Sequence, residues 1–156
     1  MLWFADERPS LFERLKRALV RVLFLITFLL IVYYVYWGSH LYKITAYCDC
    51  PICVDIPEFR DGRFASGKKA YWGGVAADPS VRFGSRVELM PLWPSDWMAV
   101  FSHLKGRKRF TVEDRGGKIK GKDLDIYFPQ SKGGHKAAKR WGVRYMRLKI
   151  NGKFAP

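Results

Sequence analysis

From Val22 to Tyr42 the chain contains no Asp, Glu, Lys or Arg. That absence excludes a soluble amphipathic helix, which would present one polar face. The run Leu23-Phe24-Leu25-Ile26-Thr27-Phe28-Leu29-Leu30-Ile31-Val32 presents none. At about 1.5 Å per residue a helix of this length crosses the roughly 30 Å hydrocarbon core of a bilayer. Small residues are missing where a cleaved signal peptide needs them: Tyr33, Tyr34, Tyr36 and Trp37 run up to Gly38 and Ser39, so an uncleaved anchor over residues 19–42 is expected. A buried core helix is excluded because the rest of the chain is too small to surround one. Basic residues are scarce beyond the span, where Lys43 stands alone until Arg60, whereas Arg8, Arg14, Lys16, Arg17 and Arg21 precede it. The positive-inside rule then places residues 1–18 in the cytoplasm as a juxtamembrane segment and residues 43–156 outside it, with the aromatics at the outer interface.

Acidic residues are few: 14 Asp and Glu against 28 Lys and Arg, for a net charge of +14. A basic domain attracts polyanions, and outside the cytoplasm these are lipid headgroups and cell-wall polymers rather than nucleic acid. Cysteine is scarcer still. Cys48, Cys50 and Cys53 are the only three, spaced C-x-C-x-x-C. With no second CxxC pair the spacing is a weak zinc signal, although His135 is a conceivable fourth ligand. In an oxidising compartment a disulfide or free thiols are expected, and no metal and no cofactor. Cysteine–histidine catalysis has no support, because His40 lies at the membrane edge and neither His103 nor His135 has an evident cysteine partner. There is no internal repeat and no low-complexity segment.

What is present beyond Leu41 is a series of short, often alternating segments separated by Gly and Pro. Candidate strands are Tyr42–Tyr47, Gly74–Ala77, Arg86–Met90, Trp97–Phe101, Arg109–Glu113, Asp123–Phe128 and Tyr145–Ile150. One helix is expected at His135–Trp141, closed by Gly142. So many short strands in so small a domain read as a closed β-barrel, which leaves no exposed sheet edge. The sharpest stretch runs from Phe110 to Phe128 and reads as strand, glycine turn, strand. Asp114 ends the first strand, Asp125 lies early in the second, and Gly116, Gly117 and Gly121 permit a tight approach between them. A third acid, Asp78, ends the strand in Val75-Ala76-Ala77-Asp78-Pro79. Taken singly, strand-end aspartates usually cap turns; three of them could also converge at one barrel mouth.

An ordered set of motifs carries a resemblance. Thr45-Ala46-Tyr47, Ala65-Ser66-Gly67, Val75-Ala76-Ala77-Asp78-Pro79 and Phe83-Gly84-Ser85 come first. Asp114-Arg115-Gly116-Gly117-x-Ile119-Lys120-Gly121-x-x-Leu124-Asp125-Ile126-Tyr127-Phe128 and Ala138-x-x-Trp141-Gly142-Val143-Arg144 follow. Together they resemble the 3D (three-aspartate) domain and the C-terminal part of membrane-bound lytic murein transglycosylase A, over about Ile44 to Ile150. The resemblance implies a mainly β fold, a small six-stranded double-ψ β-barrel with one short helix, here preceded by an N-terminal transmembrane helix. It also implies a groove for peptidoglycan glycan strands, with Asp125 as the acid and Asp114 and Asp78 supporting it.

That chemistry needs one carboxyl group. A lytic transglycosylase protonates the glycosidic oxygen between N-acetylmuramic acid and N-acetylglucosamine, then takes the proton of the muramic C6 hydroxyl as it attacks C1. The nucleophile belongs to the substrate, so no second carboxylate is needed to activate water, unlike an ordinary glycosidase. A single acid serves both steps if its pKa is raised toward neutrality. Arg115 stands where the family often has Thr. The Asp-Arg-Gly variant is similar to rare-lipoprotein-A and expansin-like barrels, some of which bind wall polymer without cleaving it, so a non-catalytic wall-binding module is the alternative. Lys69, Arg115, Gly116, Gly117 and Lys120 are candidate substrate contacts. Trp93, in a Pro-bounded segment with Trp97, is a candidate groove wall, while Trp141 is expected in the core.

Overall fold

A computed structural model describes residues 10–38, 40–54 and 56–155. Arg8 and Ser39, and the side chain of Trp37, lie outside the described residues. The chain forms two units, one through Ser39 and one from His40.

The first unit is a single helix, α1 (Leu11–Gly38). Ser10 opens it as half of a capping box: its Oγ accepts the N–H of Glu13 at 3.3 Å, three residues on. The helix is long and apolar enough to cross a membrane. Its mid-span hydroxyl, Thr27 Oγ1, donates to Leu23 O at 2.8 Å and so needs no water. The helix stops at Gly38, short of the expected residue 42. Tyr42 begins the first strand of the other unit and is only 7 % exposed in its core.

The second unit runs β1 (Tyr42–Tyr47), β2 (Gly74–Ala77), β3 (Arg86–Met90), α2 (Pro94–Leu104), β4 (Arg109–Asp114), β5 (Asp123–Tyr127), α3 (Gly134–Trp141), β6 (Arg144–Ile150) and β7 (Lys153–Phe154). The strands lie in the order β1-β5-β2-β4-β3-β6, and β6 pairs back onto β1, closing a six-stranded barrel; β7 is appended to β6. The pairs β1–β5 and β2–β4 are parallel and the other barrel pairs antiparallel. Each parallel pair is separated in sequence by other strands of the barrel, the crossed connection expected of a double-ψ fold. Alternation decides what faces inward: Ile44, Val75, Val87, Leu89, Val112, Leu124, Ile126 and Leu148 are almost fully buried. Trp141 of α3 is buried as expected, and its Nε1–H donates to Ile44 O at 3.2 Å, fastening α3 to β1.

Trp97–Phe101, expected as a strand, is helix. Pro94 stands in the first turn after extended Trp93, and Lys105 closes α2 in a left-handed conformation. Asp96, Ala99, Val100 and Leu104 are its buried residues, a spacing of three and four that only a helix puts on one face. A run that is apolar throughout is ambiguous between the two periods, and here Trp97, Met98 and Phe101 are left exposed. β7 was not expected at all. It returns through Asn151 (φ 51°) and Gly152 (φ 84°), a pair suited to a tight hairpin turn.

Candidate active site

Asp125 lies on the outer face of the barrel wall, between inward-pointing Leu124 and Ile126. In register it sits opposite Thr45 on β1 and Ala76 on β2. The β1–β5 pair therefore carries an outward ladder of Lys43 with Asp123, Thr45 with Asp125, and Tyr47 with Tyr127. Thr45 Oγ1 donates to Asp125 Oδ1 at 2.8 Å. Burial pushes the Asp125 carboxyl up to about 6, with repulsion from Asp114 and Asp123 adding to it; the Thr45 hydrogen bond and Lys43 pull the other way.

Asp114 reaches the same face through an irregularity in β4. Val75 pairs with Val112, but the next residue, Ala76, pairs with Asp114, so Glu113 is one residue extra. Such a bulge re-aims the side chains after it. Without it Asp114 would follow the alternation of Val112 into the core; with it Asp114 and Asp125 flank Ala76 from the two neighbouring strands. Asp114 Oδ1 accepts the backbone N–H groups of Ala65 and Arg115, each at 2.9 Å, and Oδ2 accepts the Tyr47 hydroxyl. Burial, then the two aspartates, push the Tyr47 phenol well above its ordinary value, so it stays a donor.

The segment between Asp61 and Gly73 packs over this face. The ring of Phe64 meets Tyr127 edge-on at 5.3 Å between centroids. Ser66 N–H donates to Glu113 O at 3.0 Å, and Lys68 Nζ pairs with the buried Glu113 carboxylate at 2.6 Å. Gly74 makes the close approach possible, since a Cβ there would fall inside the Phe64 ring.

Asp78 stands one residue past the end of β2. Its Oδ1 accepts Ser80 N–H at 2.8 Å and its Oδ2 accepts Gly121 N–H at 2.7 Å. Hydrogen bonding from the Ser80 side chain, then from the Ser80 and Gly121 N–H groups, with a smaller pull from the Arg115 cation, holds its carboxyl down at about 2. It is an ionised pin joining the end of β2 to the glycine turn. Arg115 is pinned as well: Nη1 donates to Asp114 O at 3.0 Å, Nη2 to Val81 O at 2.6 Å, and the guanidinium stacks 4.0 Å over Phe83. Gly116 leaves room for Ile119, whose Cγ1 would stand 2.7 Å from a Cβ. Gly117, Lys120 and Lys69 are exposed, as is Trp93, the extended residue just before α2, whose side chain makes no capping hydrogen bond. Thr45, Tyr47 and Ala65, whose groups hydrogen-bond the two carboxylates, were not singled out from sequence as site residues. Alternation opposite Ile44 was the available signal for the first two. Two surface depressions, one around Trp72, His103 and Lys132 and one around Arg86, Arg107 and Lys149, include neither carboxylate. The three cysteines and His135 gather at a separate point, close enough to hold a metal ion.

The family model described as 3D domain matches residues 73–151, which include Asp78, Asp114 and Asp125. The chain belongs to the 3D domain family. Its β1 strand, with Thr45 and Tyr47, and the Phe64 segment lie before the matched residues of the 3D domain. No curated protein matches the chain. Among solved structures it is similar to MltA from E. coli, at 24 % identity over 56 % of this chain and 26 % of that one, with a TM-score of 0.37. A structure of E. coli MltA reported as having a unique lytic transglycosylase fold gives 28 % identity, 60 % and 28 % coverage, and a TM-score of 0.38. MltA with bound chitohexaose gives 26 % identity with the same coverages and TM-score. The 3D-domain chain thus spans little more than a quarter of the length of these proteins.

Proposed function

We propose that this chain is a membrane-anchored lytic transglycosylase acting on peptidoglycan, with Asp125 as its single general acid and base. In this reading residues 1–18 are cytoplasmic, residues 19–38 span the membrane, and the barrel works outside. The observation that carries the reading is the pairing of Asp125 with Asp114 across Ala76 on an outer barrel face. Burial keeps the Asp125 carboxyl near 6, where it can both give and take a proton.

Asp125 gives its proton to the oxygen linking N-acetylmuramic acid to N-acetylglucosamine, and the C1–oxygen bond breaks. Asp114, positioned by Tyr47 and Ala65, faces the developing oxocarbenium charge. The muramic C6 oxygen then bonds to C1, and its proton returns to Asp125. The products are a 1,6-anhydro-muramyl end and a free N-acetylglucosamine hydroxyl. Asp78 and Arg115 hold the loops beside the site. Arg115 is spent on backbone carbonyls and Phe83, so its charge acts on Asp78 rather than opposing the raised Asp125.

The test is mass spectrometry of purified sacculi incubated with the full chain in detergent, beside Asp125→Asn. Anhydro-muropeptides from the wild type alone are expected. Reducing-end muropeptides would mean attack by water. Sacculi bound but uncut by both proteins would replace the enzyme with a wall-binding module.

A further inference from the structure

The mechanism above makes no use of the three cysteines, yet the fold brings them together. Cys48 follows the last residue of β1, whose carbonyl is held by Phe128 N–H at 2.8 Å. Cys50 and Cys53 face each other across Pro51-Ile52, in a turn closed by Cys53 N–H and Val54 N–H onto Cys50 O at 3.1 and 3.0 Å. His135 comes from the first turn of α3, more than eighty residues later in the chain. The three sulfurs and one imidazole nitrogen all lie within 4.8 Å of one another.

The distances have a definite chemistry. Cys48 Sγ stands 3.5 Å from Cys53 Sγ, and His135 Nδ1 stands 3.4 Å from Cys53 Sγ and 3.7 Å from Cys50 Sγ. A tetrahedral zinc ion with bonds of about 2.3 Å to sulfur and about 2.0 Å to nitrogen sets its ligand atoms roughly 3.5–3.8 Å apart. A disulfide would use two of the sulfurs and leave a third thiol and an imidazole nitrogen turned toward it with nothing to bind. Four converging donors of this softness match zinc better than a hard cation.

We propose that Cys48, Cys50, Cys53 and His135 form a closed structural zinc site. With four protein ligands it has no open position and takes no part in bond cleavage. Its consequence is mechanical. It ties the end of β1, one residue past Tyr47, to the start of α3, and α3 is fastened to β1 at its other end through Trp141. Uptake of the ion displaces the three thiol protons, with no change of oxidation state. The proposal is independent of the glycan reading.

The test uses the full chain purified in detergent without chelator. Elemental analysis is expected to find about one zinc per chain, lost in His135→Ala and in Cys50→Ser. Cobalt exchanged into the wild type is expected to show the thiolate charge-transfer and ligand-field bands of a tetrahedral ion. His135→Cys, which supplies a fourth thiolate, is expected to keep the metal and alter those bands, which separates loss of a ligand from loss of the fold. A metal-free wild type would overturn the proposal, whether its mass shows a disulfide or its three thiols all alkylate. So would zinc retained at wild-type affinity by His135→Ala.

Discussion

At Asp125 burial and hydrogen bonding act in opposite directions, and burial wins. The carboxyl sits near 6 in the fold against 3.8 in its ordinary state. Between those values the folded chain binds more protons than the unfolded one, so stability falls as pH rises through that window. Below about 4 the group costs nothing; above 6 the cost is complete, on the order of 2 kcal/mol after allowing for partial exposure. Asp125→Asn keeps an oxygen for the Thr45 hydroxyl and removes the charge. It is therefore expected to raise the barrel's unfolding temperature at pH 8 and leave it nearly unchanged at pH 4, while abolishing cleavage. Thermal scans of both proteins at the two pH values check this; equal differences at both would show that the charge is not disfavoured in the fold. Glycan cleavage by the wild type should decline above about pH 6, where the acid form is lost. Asp78 has the opposite sign. Its depressed carboxyl contributes stability above 3.8 that is lost as pH falls toward 2.

Among the elements, the Phe64 segment and β2 meet at Gly74, two residues before Ala76, which lies opposite Asp125, so that contact is expected to help shield the carboxyl. Gly74→Ala is expected to displace the Phe64 ring, at a cost of roughly 1–3 kcal/mol typical of overpacking. The loosened segment should also admit water, moving the midpoint of the pH–rate profile from near 6 toward the ordinary carboxylate range. In a Phe64→Ala background the same substitution should cost little, because the clash is already gone. Additive losses across that double-mutant cycle would place the strain elsewhere. Most strands of the barrel were legible from sequence because they are half-buried and alternate, as in Arg86–Met90. α2 was not, since Trp97-Met98-Ala99-Val100-Phe101 is apolar at either period and its buried face shows only when Asp96 and Leu104 are counted with it. Within the site, Asp114 and Asp125 were legible through their glycine-loop motif. The bulge that turns Asp114 outward was not, because an extra residue in a strand leaves no compositional trace. His135 was legible only as a conceivable partner, since nothing local links it to cysteines so far away in sequence.

For the whole molecule, the charge flanking α1 bears on the orientation proposed for the barrel. Four cations, Arg14, Lys16, Arg17 and Arg21, crowd the start of α1, against Lys43 alone between its end and Arg60. By the positive-inside rule this asymmetry supports the proposed orientation, with the start of the chain in the cytoplasm. An alkaline phosphatase fused after Ala155 is therefore expected to be active in cells, and a green fluorescent protein exported unfolded to the same place dark. Replacing the four cations with Gln and adding Lys residues beside Lys43 should shift the population toward the reverse pattern. Fluorescence without phosphatase activity in the unmodified chain would remove the glycan reading whatever Asp125 can do, because its polymer lies outside. The zinc site would stand in that case, since a reducing cytoplasm keeps thiols available to metal. An outward orientation would also give the basic surplus beyond Lys43 a use. Twenty-two Lys and Arg against eleven Asp and Glu would hold the barrel to anionic lipid or wall polymer, an attraction that weakens as salt shortens the screening length. Cleavage of sacculi by the chain in liposomes should then fall with added salt more steeply than cleavage of short neutral glycans, for which only the Asp125 face is needed.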